Sequence, residues 1–142
     1  MKTFRATEKE FNRKTYLVDA SGKTLGRLAT RVASVLIGKG KVCFAPDQLS
    51  GDQVIVINAA KVRVTGNKSS TKIYTHYTGY TSGLRSTTFE RLLVNKPETI
   101  ITQAVKRMLP KTKTGREMQR RLRVFAGAEH SHSAQKPVAL EV

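Results

Sequence analysis

The chain has 142 residues, with 26 Lys or Arg against 10 Asp or Glu, and a formal net charge of +16. A chain of this length buries about two-thirds of its unfolded surface. The 39% share of hydrophobic residues excludes a purely disordered basic tail. The excess of positive charge favours a folded protein that contacts a polyanion, above all nucleic acid, and less readily an anionic membrane.

Three features bear on the cellular location. The single Cys43 cannot form an internal disulfide, which fits a reducing compartment. No apolar run reaches the roughly 18 residues that a membrane helix needs. Residues 1 to 14, MKTFRATEKEFNRK, lack the apolar centre of a signal peptide. We therefore expect a cytoplasmic protein without a membrane partner.

The first half of the chain predicts a βαβ unit. A β-rich run, residues 15 to 20, leads directly into a segment whose apolar residues repeat at helical intervals: Leu25, Leu28, Ala29, Val32, Ala33 and Leu36. Arg27 and Arg31 fall on the opposite, polar face. Thr24 is expected to cap this helix and Gly38 to end it. The run VIVI that begins at Val54 shows no alternation, as is typical of a strand buried on both faces of a parallel sheet.

Further β segments are predicted along the chain. Residues 61 to 66 are expected to form a short strand, and residues 72 to 83 a β-rich run that passes into a glycine-containing loop. Residues 122 to 126 are predicted as the last strand, and residues 127 to 142 as an extended tail. Because neither a linker nor an internal repeat divides the chain, we expect one α/β domain, residues 1–142, with a basic loop and an extended C-terminal tail.

Three helices are predicted between these β segments. Thr87 with Glu90, and Thr114 with Glu117, have the spacing of capping boxes, and Pro97 suits the first position of the helix between them. One apolar stripe is expected along that middle helix: Ile100, Ile101, Ala104, Val105 and Met108.

The sequence SGKT, residues 21 to 24, resembles part of a phosphate-binding loop because it lies between a predicted strand and a predicted helix. The complete motif requires a glycine five residues before Gly22, where this chain has Leu17. A helix N-terminus can still hold one phosphate of a larger anion, but a plain capping turn is the preferred interpretation.

The chain contains side chains that can bind metals, but they do not have the spacing of a known metal site. His76, His130, His132 and Cys43 lack the C-x-x-C or H-x-x-x-H spacing of zinc sites, so no metal site is predicted. Hydrogen bonding in a polar tail is the more natural role of the last two histidines.

Asp19, Asp47 and Asp52 lie near predicted strand ends, where a magnesium-dependent nuclease places its carboxylates. Asp also favours turns, and no general base or nucleophile accompanies these three. We therefore predict no enzyme activity, no cofactor and no small-molecule substrate.

The densest positive charge lies in residues 106 to 123. Eight basic residues stand there against the single acid Glu117: Lys106, Arg107, Lys111, Lys113, Arg116, Arg120, Arg121 and Arg123. Lys and Arg often merely solvate one helix face, but these charges continue through a loop into the next helix. The pattern therefore predicts contacts with phosphates.

A second contact surface is predicted earlier in the chain. It comprises Lys68, Lys72, His76 and Arg85. Tyr74, Tyr77 and Tyr80 lie among them and can stack on unpaired bases, although an alternating strand turns some of these rings towards the core.

Four stretches of the sequence resemble one family: YLVDASGKTLGRLAT, INAAKVRVTGNK, HYTGYTSGLRSTTFE and AVKRMLPKTKTGREMQRRLRVFAGAEHSHSAQKPVAL. Their order and spacing resemble the bacterial-type ribosomal protein L13 family of the large ribosomal subunit, over almost the whole chain. The chain departs from the usual family pattern at Asp47, Leu49, Tyr80 and Arg107. The resemblance implies a three-layer α/β/α domain around a short parallel sheet. It also implies large-subunit ribosomal RNA and neighbouring ribosomal proteins as partners, and an early role in folding that RNA.

The leading hypothesis is thus a non-enzymatic structural protein of a cytoplasmic ribosome, with an organellar ribosome as the alternative location. Neutralised phosphates release counterions, and the folded shape supplies selectivity because A-form RNA hides its base edges. Two other classes are an enzyme that uses SGKT or the aspartates, and a DNA-binding regulator. The regulator requires a helix-turn-helix, and the KTKT loop between the basic helices is too extended for that turn.

Overall fold

The computed structural model describes residues 6–7 and 11–141. In chain order its elements are β1 (Thr15–Asp19), α1 (Leu25–Ile37), β2 (Gln53–Ile57), a 3-10 turn (Ala59–Lys61), α2 (Lys68–Thr71), β3 (Ile73–Tyr77), β4 (Leu84–Thr88), α3 (Phe89–Asn95), α4 (Pro97–Met108), α5 (Lys113–Arg120), β5 (Leu122–Val124), a second 3-10 turn (Ser133–Gln135) and β6 (Val138–Ala139). The absence of a signal peptide was inferred from residues 1 to 14, and most of that segment lies outside the described residues.

A four-stranded parallel sheet lies at the centre of the fold, in the order β5-β2-β1-β6, and β3 and β4 form a separate antiparallel hairpin. In the parallel sheet Val18 lies opposite Val56, and Val54 lies opposite Leu122. The order β1, α1, β2 with parallel pairing confirms the predicted βαβ unit.

Helix α1 forms as its apolar spacing predicts, because every residue of the predicted stripe is buried. The helix ends at Gly38, whose φ of 83° lies in the left-handed region that glycine adopts without steric cost. Thr24 occupies the N-cap position as expected, but its side chain accepts no capping hydrogen bond. The predicted position of the cap is therefore correct, but the expected side-chain hydrogen bond is not formed.

The core lies where the sheet packs against α1 and α4. Val18 and Val56 of the sheet are fully buried, as are Ile100, Ile101 and Val105 of α4. Each such side chain contributes about 1.5–3 kcal/mol relative to leaving it in water. Met108, predicted on the same stripe of α4, is instead 42% exposed because it lies at the surface beside Arg27 and Thr30 of α1.

The opposite face of the sheet is covered by the C-terminal segment. Ile55 and Arg123 of the sheet line a small cavity of about 210 Å³ together with His132 and Gln135. The layers are consistent with an α/β/α arrangement around a parallel sheet, which confirms the predicted fold class.

Three β predictions need correction. Residues 61 to 66 do not form a strand, because a 3-10 turn ends at Lys61 and only an isolated bridge joins Arg63 to Thr24. Strand β4 was not predicted, because its sequence LRSTT has too few apolar residues to alternate. The C-terminal tail is not wholly extended, since β6 returns to the sheet edge and pairs Val138 with Tyr16.

All three predicted helices are present, but two of their caps were misplaced. The N-cap of α3 is Thr88 rather than Thr87, and that of α5 is Thr112 rather than Thr114. The Thr112 side chain accepts a hydrogen bond from the Gly115 amide at 3.3 Å. Neighbouring threonines offer equivalent caps, so the local sequence pattern does not select among them. No helix within the described residues is long and apolar enough to cross a bilayer.

Candidate nucleic-acid interface

A groove of about 670 Å³ lies between the N-terminal turn of α1, helix α2 and the C-terminal end of α4. Four basic side chains line it: Arg27, Lys68, Lys72 and Arg107. Among the described residues no acid lines this groove, and none of the four cations forms an ion pair there. The groove is therefore a concave region of uncompensated positive charge.

Backbone hydrogen bonds on both sides fix Lys72 at the edge of this groove. Its amide donates to the Lys68 carbonyl at 3.1 Å and ends α2, and its own carbonyl accepts from the Phe89 amide at 2.9 Å. The Lys72 Nζ lies 5.3 Å from the ring centroid of Tyr74, within the range of a cation–π contact. The ammonium group is thus held beside an aromatic face.

Tyr74 lies in the wall of the groove and is only 8% exposed. Its hydroxyl has no hydrogen-bond partner in the part of the chain that the structure describes. Burial raises the pKa of this hydroxyl, and the positive charge of Arg107 opposes that rise. The group is consequently neutral at physiological pH, and an unmet hydrogen bond at such a site costs about 1–3 kcal/mol.

The first turn of α1 presents unpaired amides at the same groove. The Leu25 amide donates to the Arg63 carbonyl at 2.9 Å, whereas those of Gly26 and Arg27 have no acceptor among the described residues. No acid lies in this turn. Because the helix dipole places partial positive charge at its N-terminus, these amides add to the cationic character of the groove.

The β3–β4 hairpin carries the rest of the second predicted surface. His76 lies directly opposite Arg85, and both are exposed on the face of the hairpin that also bears Tyr74. The other face carries the exposed Tyr77 opposite Leu84. One of the three tyrosines therefore lies in the core, as the alternation predicted, while Tyr77 and Tyr80 are exposed.

The basic segment of residues 106 to 123 is divided among separate surfaces. Most of its side chains are exposed and form no ion pair within the described residues: Lys106, Arg107, Lys111, Lys113, Arg116 and Arg123. Arg120 pairs with Glu117 at 2.9 Å, in an exposed contact of the kind that contributes little stability.

Arg121 differs from its neighbours because its side chain points back into the fold. Its Nη1 donates to the Gly51 carbonyl at 2.7 Å and to the Leu49 carbonyl at 3.3 Å. The guanidinium thus ties the start of β5 to the loop before β2. Its predicted phosphate contact stays a prediction, and the geometry favours a structural role.

The structure joins the two predicted surfaces at one point. Arg107 belongs to the first, and it lines the groove with Lys68 and Lys72 of the second. Lys113 lies elsewhere, in a cleft with Asp47. Arg27 was missed as a site residue: the sequence placed it on the polar face of α1, but only the packing of α1 on α4 shows what that face adjoins.

The SGKT loop uses its amides within the fold. The amides of Gly22 and Lys23 donate to the carbonyls of Lys61 and Ala20, at 3.1 and 3.2 Å. A mononucleotide would have to displace these bonds. The geometry therefore matches the capping-turn interpretation and not a phosphate-binding loop.

Asp19 and Asp52 both have structural partners. The Asp19 Oδ1 accepts from the Ser21 amide at 3.0 Å and from the Asn58 Nδ2 at 2.9 Å, and these bonds, the first above all, lower the pKa of the carboxyl. The Asp52 Oδ1 accepts from the Lys41 Nζ at 2.6 Å and from the backbone amide of Lys14 at 2.9 Å.

The remaining histidines pack on an aromatic ring. The Phe125 ring centroid lies 6.3 Å from that of His130 and 5.9 Å from that of His132. Within residues 6–7 and 11–141, no three His, Cys, Asp or Glu side chains are grouped so that they could hold a metal ion.

Comparison with known proteins identifies the family. Residues 13–131 match the family described as Ribosomal protein L13. The chain is 56% identical to the large ribosomal subunit protein uL13 of Acholeplasma laidlawii and 54% identical to that of Tolumonas auensis, over the full length of both chains in each case. It is 51% identical to the Alkaliphilus oremlandii protein of the same name, over all of this chain and 99% of that one. The chain therefore belongs to the ribosomal protein L13 family, whose members are structural, non-enzymatic proteins.

Proposed function

We propose that this protein is a structural component of the large ribosomal subunit, and that it binds large-subunit ribosomal RNA and helps it fold early in assembly. The names of the relatives support the ribosomal location, and with it a cytoplasmic ribosome and neighbouring large-subunit proteins as partners. Residues 1–142 would act as one domain, since β6 brings the C-terminal end back to β1.

The observation that carries RNA binding is that the basic side chains lack acidic or hydrogen-bonding partners within the described structure. Apart from Arg120 and Arg121, none of the predicted contact residues makes an ion pair or a side-chain hydrogen bond within the described structure. With a net charge of +16, such a surface repels itself unless an external polyanion lies close. An RNA backbone supplies that polyanion.

The proposed mechanism is electrostatic. Each phosphate that a Lys or Arg neutralises releases condensed counterions, so affinity falls as salt rises. RNA helices that would otherwise repel one another can then approach across the protein. The folded arrangement of the cations supplies selectivity, because the deep groove of A-form RNA hides most base edges from side chains.

The subunit assignment is tested by sedimentation of a cell lysate, with immunodetection of this chain. We expect most of the protein to co-sediment with large ribosomal subunits at moderate salt. A protein found mainly in ribosome-free fractions of growing cells would contradict the proposal.

The phosphate contacts are tested by the variant K111Q/K113Q/R116Q/R120Q. The loss of four contacts should lower the magnitude of the slope of log affinity against log salt by roughly 3 units, at about 0.7–0.9 per contact. Unfolding should change little, because all four side chains are exposed. The matched control K39Q/K61Q/R63Q/K96Q removes four exposed charges outside the predicted surfaces. An equal change of slope in both variants would show that total charge, not these positions, determines binding.

A further inference from the structure

The groove between α1, α2 and α4 has two chemically different sides. Arg27, Lys68, Lys72 and Arg107 supply positive charge, and an apolar wall includes Ala104 and Met108. The Met108 Sδ lies 3.7 Å from the Thr30 hydroxyl oxygen of α1, a contact that joins the two helices at this wall. A ligand that matches both sides carries negative charge on one part and a flat apolar surface on another.

A volume of about 670 Å³ falls within the range of small-ligand pockets, about 300–1,000 Å³. A continuous RNA duplex presents a convex, fully charged backbone, which suits an open basic surface better than a groove with an apolar wall. An unstacked nucleotide has a phosphate and a base that can face different walls, and sequence-tolerant RNA binding commonly uses such unpaired bases.

Unmet hydrogen bonds at the groove also favour a ligand. The amides of Gly26 and Arg27 lack acceptors in the described residues, and phosphate oxygens are the usual partners of amides at a helix N-terminus. The Tyr74 hydroxyl is buried in the wall without a partner in the same described part. Because this hydroxyl is closed off from solvent, the two amides are the donors that a ligand in the groove can reach.

We infer that the groove binds one unpaired nucleotide of RNA, with its phosphate among Arg27, Lys68, Lys72 and Arg107 and its base against the wall that Ala104 and Met108 form. The inference rests on the proposed RNA-binding function and deepens it. The exposed Lys111, Lys113 and Arg116 would contact phosphates of either form of RNA, and the groove would select a single-stranded position.

The test compares the full chain with two triple variants of equal charge loss. K68Q/K72Q/R107Q alters the groove, and the control K111Q/K113Q/R116Q alters exposed residues outside it. The probes are a fluorescent single-stranded RNA of about ten nucleotides and an RNA duplex of the same length. We expect the groove variant to lose at least about tenfold more affinity for the single strand than for the duplex, because the base contacts the apolar wall only while the phosphate is held among the cations. The control should weaken both probes alike.

A second variant removes space without removing charge. Ala104→Leu narrows the groove at a half-buried position of α4, and thermal unfolding verifies that the variant is folded. We expect weaker binding of the single strand and unchanged binding of the duplex. Should this variant fail to fold, the charge variants still decide the question.

The outcomes separate the groove from the general function. If both triple variants weaken both probes equally, the inference is wrong and electrostatic RNA binding stands. If the unaltered chain binds neither probe, both proposals fail. Adenosine monophosphate and inorganic phosphate serve as competitors. Displacement of the single strand by either one at concentrations near the dissociation constant of the RNA would assign the groove to a free phosphate compound instead.

Discussion

The groove and the α4–α5 segment concentrate positive charge by opposite routes. The groove gathers basic residues from three separate parts of the chain: Arg27, Lys68 with Lys72, and Arg107. The segment of residues 106 to 123 is continuous in sequence, yet its side chains diverge, with Arg107 at the groove and Arg121 turned towards the loop before β2. Charge density along a chain therefore does not locate a binding site; the packing of the elements does.

The two regions also differ in shape and in expected role. Lys111 and Arg116 are exposed and line no groove in the described part of the chain, so they suit phosphates of any RNA helix. The groove is concave and half apolar, so it suits one nucleotide. We expect the first region to determine how strongly binding depends on salt, and the second to determine the preference for unpaired RNA.

The largest effect is expected where both regions depend on the same core. Val56→Asp places a carboxylate in the fully buried centre of β2, where an unpaired charge costs several kcal/mol. Denaturant unfolding should show the loss of stability. RNA titration should show that both regions lose RNA binding together. Gln53→Asp, at an exposed position of the same strand, is the control and should change the free energy of unfolding little. A Val56→Asp protein with normal unfolding would contradict the buried-strand assignment.

A smaller loss of stability, confined to the α4–α5 segment, is expected from a substitution at Gly115. A Cβ at Gly115 would lie 1.8 Å from the Pro110 carbonyl oxygen, so Gly115→Ala forces the backbone of the α4–α5 turn to move. We expect a loss of about 3 kcal/mol in the free energy of unfolding, at the upper end of overpacking effects. Amide exchange should increase in α5 first.

The matched control for that substitution lies in the groove region. Gly26 is within α1 and has nothing within 4 Å of its added Cβ, so Gly26→Ala should instead stabilise the protein by about 0.5–1 kcal/mol. Equal destabilisation by both substitutions would mean that helix propensity and space do not distinguish the two glycines, and would contradict the close approach of Gly115 to the Pro110 carbonyl.

Arg121 and Arg123 provide a finer test within the basic segment. Arg121→Gln removes the charged donor to the Gly51 and Leu49 carbonyls, and should cost about 2 kcal/mol of stability. Arg123→Gln removes an exposed charge and should leave unfolding nearly unchanged while lowering the salt dependence of RNA binding. Chemical denaturation and RNA titration of both variants measure the two effects. If Arg121→Gln instead left unfolding unchanged and lowered the salt dependence of RNA binding, Arg121 would belong to the RNA-contacting surface.

The elements that the sequence predicted are those with strong apolar periodicity. The α1 stripe and the continuous VIVI run determine their burial locally, because each residue's neighbours at helical or strand spacing face the same way. The two-residue β6 has no period to detect, and its position depends on the open edge of β1. The caps at Thr88 and Thr112 compete with adjacent threonines, which only the turns around them resolve.

The candidate site was predicted less completely for a related reason. Composition identified Lys68, Lys72 and Arg107 as contact residues, but it placed them on two surfaces. Their meeting point depends on the packing of α1 and α4, which adds Arg27 and brings Tyr74 beneath the charges. Such long-range contacts leave no local pattern in the sequence.

The smallest expected effect is a loss of stability in acid at the turn before α1. Asp19 ends β1 and holds the turn that leads into α1, through hydrogen bonds from the Ser21 amide and the Asn58 side chain. These bonds lower its pKa below 3.8 in the folded protein. The stabilisation from this carboxylate is therefore present above pH 3.8 and is lost as the pH falls through the lower, folded-state pKa.

Asp19→Asn should accordingly lose less than about 1 kcal/mol of stability at neutral pH, since an exposed carboxylate gains only a modest net hydrogen bond. The difference from the unaltered protein should vanish in acid, below the pKa of the folded protein. Amide exchange at Ser21, beside the groove-side turn, should respond to this titration, whereas Lys113 at the start of α5 should not. Glu129→Gln removes the same charge from the exposed C-terminal segment and is the control. Because acid would loosen the turn before α1 without altering α5, a joint response of both amides would show that the two regions are not independent.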